Sequence, residues 1–200
     1  MTLKDLLNLI SWDMRVNHGW GWDFIRAKLL LIEVRIEQYI YRKLFFRSKP
    51  FRLIWYVFRA LAQLYQWFLF NSRFPGSTAI GRGLRLPHPQ NIIISGYADI
   101  GEFCTIYQNV TVAWNGFYEE KPNSPKVGDQ VLIGTGVTIL GDITIGSDVL
   151  IGAGAIVVHS VPDHSRVTNM PPKISSRRPT EDAAEPGSER HINDPFSIWR

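Results

Sequence analysis

Between Val127 and Pro162 the apolar positions fall in sixes: VGDQVL, IGTGVT, ILGDIT, IGSDVL, IGAGAI, VVHSVP. Each unit opens on Val or Ile (Val127, Ile133, Ile139, Ile145, Ile151, Val157), and its fifth place is small or branched and apolar (Val131, Val137, Ile143, Val149, Ala155, Val161). A period of six fits neither the 3.6 of a helix nor two-residue alternation. It fits short strands joined by tight turns, each strand sending one large residue into a shared interior. Gly128, Gly134, Gly141, Gly146 and Gly152 are expected to supply the turns. Units of this kind cannot bury an apolar face alone and must stack, which predicts a parallel β-helix.

The period extends backwards. Ile80, Leu86 and Ile92 keep it, a slip at Ser95–Gly96 resets it, and Ile100, Ile106 and Val112 resume it. It then lapses over residues 113–126, a loop with Trp114, Asn115, Phe117, Tyr118, Pro122 and Pro125. Long excursions from a compact solenoid are more often functional than accidental. Residues 1–73 read as helical. Thr2 caps a first helix with Asp5 three places on, and Leu3, Leu6, Leu7 and Ile10 recur at helical spacing. A second helix is expected from Asp23 to Lys43, with Phe24, Leu31, Val34 and Tyr41 on one side and Arg26, Glu33, Arg35 and Glu37 elsewhere. A third runs from Pro50 to Phe70; Arg59, Gln63 and Gln66 and its marginal length favour a buried or interfacial helix over a membrane span. The expected organisation is thus a helical region 1–73, β-helix coils 74–178 and a polar, proline-rich, disordered tail 179–200.

Composition changes this picture little. The 200 residues are 45% hydrophobic and 20% charged, an ordinary folding chain. The single Cys104 sits at a repeat's fifth place, where burial is the plain expectation, and it excludes an internal disulfide. No basic segment leads into an apolar run at the N-terminus, so a cytoplasmic location is expected. Charge is uneven: residues 1–73 hold twelve Lys/Arg against five Asp/Glu within a chain of net +4. Such a half can meet nucleic acid, anionic lipid or an acidic glycan; a solvated helical face is the plainer reading. Nucleic acid is not expected, and peripheral contact with the inner face of a membrane through the basic helices is kept open.

Leu86-Pro-His-Pro-Gln-Asn, Thr105-Ile-Tyr-Gln-Asn-Val-Thr, Pro125-Lys-Val-Gly-Asp, Ile139-Leu-Gly-Asp-Ile, Ile151-Gly-Ala-Gly-Ala and Asn169-Met-Pro-Pro-Lys carry a resemblance. Residues 80–173 resemble the hexapeptide-repeat acyltransferases, most closely the serine acetyltransferase branch. The resemblance implies a mainly β fold, a left-handed parallel β-helix behind an α-helical N-terminal region. It also implies a homotrimer and acetyl-CoA as donor, with no metal. Acetyl transfer to a hydroxyl needs a base for the proton and donors for the oxyanion. His88, between two prolines, takes the base role, since imidazole titrates near neutral pH. The resemblance puts Trp114, Thr135, Ala153, Lys173 and Arg177 beside the cofactor, with Asn109, Asn115, Phe117 and Tyr118 left for the acceptor.

The departures set the acceptor. Arg73 stands where the family's supporting Asp is expected, leaving His88 without an identified partner. Asn123 and Ser124 stand where the family carries Arg-His for its amino acid. A free amino acid would leave charges unpaired in such a site, and the aromatic loop suits a sugar face. The expectation is therefore an O-acetyltransferase of a surface glycan, capsule, exopolysaccharide or lipopolysaccharide, or its precursor. Serine O-acetylation is the alternative, with a non-catalytic scaffold behind it. A zinc-dependent reading of His159 and His164 fails, because His88 lies about three coils away at ~4.7 Å per coil, beyond any shared ion at ~2 Å from each nitrogen.

Overall fold

The computed structural model describes residues 1–19, 21–46, 49–114, 116 and 124–169. Helices α1 (Leu3–Val16), α2 (Trp22–Ile40) and α3 (Lys49–Phe70) come first. Thr2 caps α1 with a complete capping box: its hydroxyl accepts from Asp5 N, and Asp5 accepts from Thr2 N. The expected second helix stops being α-helical at Ile40 and widens into one π-helical turn, Tyr41–Phe45. That turn gathers rings: Tyr41 stacks on Phe45 at 4.9 Å, and both reach Trp55 of α3, at 5.3 and 4.9 Å.

Twelve short strands follow among the described residues, all in three parallel sheets. Numbered along the chain, β1 (Ala79–Ile80), β3 (Asp99–Ile100), β6 (Lys126–Val127) and β9 (Thr144–Ile145) form one sheet. β2 (Ile93–Ile94), β5 (Thr111–Ala113), β8 (Thr138–Leu140) and β11 (Ile156–Val157) form the second. β4 (Thr105–Ile106), β7 (Leu132–Ile133), β10 (Leu150–Ile151) and β12 (Arg166–Val167) form the third. Each of the three middle coils contributes one strand to each sheet, which is a parallel β-helix. Residues of like place stack: Ile106 on Ile133 on Ile151, and Val112 on Ile139 on Val157. The first-place residues from Val127 to Val157 are all buried, as are the fifth-place residues from Val131 to Ala155, and so is Cys104. Each such side chain contributes about 1.5–3 kcal/mol by leaving water.

Of the five glycines expected to supply turns, Gly141 alone does so, with left-handed backbone (φ 99°); in the other units that conformation lies elsewhere. Left-handed backbone falls at the fourth place of the unit, on Gln130 (φ 56°), Gly136 (70°), Asp148 (54°) and Gly154 (73°). The second-place glycines serve packing: a Cβ on Gly134 would stand 2.8 Å from the backbone N of Ala153 in the next coil. Bare backbone there lets the coils stack at sheet spacing.

The helical inner faces mix polar groups with apolar ones, which corrects part of the second expected pattern: Leu31 and Val34 are buried as expected, beside charged residues that were not. Arg35 and Glu37, placed away from the apolar side, are buried. Leu3 and Leu7 of α1 are exposed, and of the four α1 positions named only Leu6 is buried. Arg35 Nε donates to Asp13 Oδ2 at 2.8 Å, with both side chains fully buried. Its other nitrogens donate to Ile80 O (2.7 Å), Gly81 O (2.6 Å) and Gln38 Oε1 (3.0 Å). Asp13 in turn accepts from the backbone of Gly83 and Leu84. One ion pair thereby ties two helices to the first coil. Arg35→Met strands Asp13 as a buried charge and should lower unfolding free energy by about 3–5 kcal/mol; urea denaturation measures it, and a loss below 1 kcal/mol would show that the pair is not the clamp.

Under α3, Glu33 and Glu37 share the side chain of Gln66, whose Nε2 lies 2.8 Å from Glu33 Oε2. Glu33 Oε1 is buried with no hydrogen-bond partner among the described residues. Burial pushes the Glu33 carboxyl from 4.5 up to about 8, with the Glu37 charge acting in the same direction. The folded chain therefore keeps a proton that the unfolded chain releases. That contribution to stability is complete below pH 4.5 and is lost as pH rises through about 8. Melting temperature should fall across that window, and Glu33→Gln should flatten the fall; an unchanged slope in thermal scans would contradict it.

Candidate functional site

The turn that carries His88 lies between the backbone bridge of Arg85 to Thr105 and strand β2. Proline on either side restricts the backbone there. His88 Nδ1 lies 2.8 Å from Asp23 Oδ2. Asp23 is the second residue of α2, 65 positions earlier in the chain, and both side chains are partly open to solvent. A carboxylate can only accept, so Nδ1 carries the proton of this bond and Nε2 is left as the basic nitrogen. Arg73, the residue aligned with the family's supporting Asp, instead makes a backbone bridge with Ile93. The missing partner was thus supplied by a helix, not by the linker. Sequence reasoning missed it because nothing local marks which N-terminal acid will meet a distant turn; the acid in the first turn after the Gly19–Gly21 break was the only available signal.

Asp23 also lies 3.9 Å from Arg26 one turn on. Arg26 donates to Leu69 O at 2.6 Å, and its guanidinium stands over the Phe70 ring at 5.4 Å. Around it, the end of α3 and one corner of the coils enclose a groove of about 410 Å³. Arg26, Phe68, Phe70, Gln90, Gln108 and Asn109 are among its walls. Gln90 N donates to His88 O at 2.8 Å, so the groove adjoins the His88–Asp23 pair.

The corner is built by repetition. Asn71, Asn91 and Asn109 all have left-handed backbone (φ 48°, 54° and 60°), which asparagine tolerates well. Their side chains form a ladder: Asn71 Nδ2 donates to Asn91 Oδ1, and Asn91 Nδ2 to Asn109 Oδ1. Further coils continue the column, as Thr135 Oγ1 donates to Gln108 O and Gly154 N to Thr135 O. Asn169 Nδ2 then caps Ala153 O at 2.8 Å. Of the residues named from sequence, the fold therefore brings His88, Asn109, Thr135 and Ala153 to one corner. Gln108 Oε1 is buried there without a hydrogen-bond partner among the described residues. Trp114 follows β5, at the next corner round the coil. Asn115, Phe117, Tyr118, Lys173 and Arg177 lie outside the described residues, as do Asn123 and Arg178.

Other reactive groups are accounted for. Burial raises the Cys104 thiol to about 11, and its sulfur donates to Gly128 O, so it is held as an inert thiol. His164 pairs with Asp148 at 2.8 Å. Among the described residues no three of His, Cys, Asp and Glu gather as metal ligands would.

Residues 124–159 match the model described as bacterial transferase hexapeptide (six repeats). The chain thus carries the repeat of the hexapeptide-repeat transferases. Its relatives include a serine acetyltransferase of Bacillus subtilis (strain 168), 33% identical over 123 residues, 62% of this chain and 56% of that protein. A serine acetyltransferase of Staphylococcus aureus (strain Mu50 / ATCC 700699) is 36% identical over 141 residues, 69% of this chain and 63% of that protein. The chain thus spans about 56–63% of these relatives' own length. Among solved structures, the Neisseria gonorrhoeae serine acetyltransferase in complex with serine superposes with TM-score 0.66 at 24% identity, over 86% of this chain and 69% of that one. A serine acetyltransferase in complex with CoA gives TM-score 0.66 at 20% identity, over 82% and 66%. The last two establish a shared fold.

These relatives overturn the expectation of a glycan acceptor. It rested on lost charges at residues 73, 123 and 124 and on the aromatic loop. Two of those features, Asn123 and most of the loop, fall outside the described residues. The site also holds charges that the motif comparison did not count, Asp23 and Arg26, on a helix outside the coils.

Proposed function

We propose that this chain is an O-acetyltransferase that moves an acetyl group from acetyl-CoA to the hydroxyl of serine. The observation that carries the reading is the His88–Asp23 pair, set on a hexapeptide-repeat coil that resembles serine acetyltransferases. A non-catalytic scaffold has no need of an open imidazole oriented by a carboxylate.

In the proposed reaction, Nε2 of His88 takes the proton of the serine hydroxyl as the oxygen attacks the thioester carbonyl. A C–O bond forms, and the C–S bond breaks as the tetrahedral intermediate collapses. The imidazolium then returns its proton to the departing thiolate, leaving CoA as thiol. Asp23 fixes the tautomer and supports the transient imidazolium. Arg26, beside Asp23 in the groove, is the cation offered to the amino-acid carboxylate, in place of the family's Arg-His. The small residues Thr135 and Ala153, on the column with Gly136 and Gly154, let the extended arm of acetyl-CoA approach the backbone. Trp114 and Asn109 keep their assigned neighbourhoods within this reading, beside the cofactor and the acceptor. A left-handed coil, a homotrimer and a cytoplasmic site of reaction, where acetyl-CoA is available, belong to the same proposal.

Thiol release with acetyl-CoA and L-serine tests it. His88→Ala should lower kcat by about a hundredfold or more, with the KM for acetyl-CoA unchanged. Asp23→Asn should lower kcat with a smaller effect on either KM, since it disorients the base without removing it. Normal turnover in folded His88→Ala would remove the base from the mechanism.

Arg26→Gln separates the acceptor. Losing a charge-assisted hydrogen bond to a carboxylate costs about 1.5–3 kcal/mol, so the KM for serine should rise tenfold or more while acetyl-CoA binding holds. No turnover of serine by the unmodified chain would defeat the serine reading.

A further inference from the structure

α3 wears its apolar residues on the outside. Leu53, Ile54, Val57, Leu61 and Leu64 recur along one side of the helix and are 45–65% exposed, with Phe68 at 80%. Trp55, Ala62, Gln66 and Phe70 take the opposite, buried side. A run of large exposed side chains on one helix face exceeds what a soluble surface normally shows and marks a docking surface.

The charge around this face identifies its occupant. Residues 38–98 contain nine Lys/Arg and no Asp or Glu. Arg42, Lys43, Lys49 and Arg52 are exposed at and before the start of α3. The acids of α2 that lie under α3, Glu33 and Glu37, are turned inward onto Gln66 and the backbone of Gly76. A second copy docked on this face would offer these cations no acidic partner, because the same stretch carries none. An anionic lipid surface complements both features, taking the apolar side chains below its headgroups and the cations among them. Among the described residues no helix is long and apolar enough to cross a membrane, so the fitting arrangement is a helix lying in the interface. We propose that α3 is an interfacial membrane helix that docks this chain on anionic phospholipid.

Flotation of the full chain with vesicles tests this. One set is phosphatidylcholine alone, the other phosphatidylcholine mixed with phosphatidylglycerol, each at low and high salt. Binding to the anionic vesicles should exceed binding to the neutral ones by about tenfold or more and weaken with salt. Tryptophan emission should shift to the blue on adding anionic vesicles, a readout that needs no variant. Val57→Glu with Leu61→Glu should abolish binding, while far-UV circular dichroism and lipid-free serine acetylation stay as in the parent. Lys49→Gln and Arg52→Gln should each weaken it about fivefold. No flotation with anionic vesicles, or equal flotation with neutral ones, would overturn the proposal. So would concentration-dependent association between copies that the double glutamate variant abolishes, because the face would then be an interface between chains. The lipid-free assay reads acetyl transfer separately, so loss of membrane binding and failure of the serine reading cannot be confused.

Discussion

A buried guanidinium organises this molecule. Arg35 sits at 0% exposure between α1, α2 and the first coil, and its nitrogens are spent on Asp13, Gln38 and two backbone carbonyls, Ile80 O and Gly81 O. Desolvating such a charge is costly and is offset only where every donor finds an acceptor. Here they do, and Asp13 passes the constraint on to Gly83 N and Leu84 N. The turn those residues open runs on through Leu86, whose N donates to Asn17 Oδ1 of the α1 cap, to His88. The same network that anchors the helices thus fixes the backbone one residue pair before His88, and it fixes the helix that carries Asp23. Stability and site geometry share their cause.

The coils contribute a different kind of constraint. Sheet spacing brings successive backbones so close that a side chain at Gly134 would collide with Ala153. The turns then need left-handed residues, which Asn91, Asn109, Gly136 and Gly154 supply at one corner. A corner built this way sets small side chains in register from coil to coil, with the amides of the left-handed residues donated to carbonyls of the layer before. It is a surface suited to an extended ligand arm, and it ends beside His88.

Legibility followed the range of the interaction. The six-residue phase is local, and the buried columns from Ile80 to Val157 could be read from it directly. So could the capping box at Thr2 and Asp5, and the burial of Cys104. The turn at His88 was legible from its two prolines, but the pairing with Asp23 was not, because a contact across 65 residues leaves no periodic trace. The glycines were legible as necessary and, Gly141 apart, misread as to cause: in the other units turn freedom lies at the fourth place, close approach at the second.

The helices failed the ordinary rule for a specific reason. Reading apolar as inside put Arg35 and Glu37 on the solvent side and left Leu3 and Leu7 to be buried. The fold reverses this for each of them. The end of a β-helix presents unpaired backbone, here Ile80 O, Gly81 O, Thr78 O and Gly83 N, and apolar side chains cannot satisfy those groups. A helix that covers such an edge must bring donors and acceptors to it, and Arg35, Gln38 and Asp13 do so. With its inner faces committed to that task, the helical region carries much of its apolar surface outward on α3. The polarity inside and the oily face outside are two results of one requirement, the capping of an open coil.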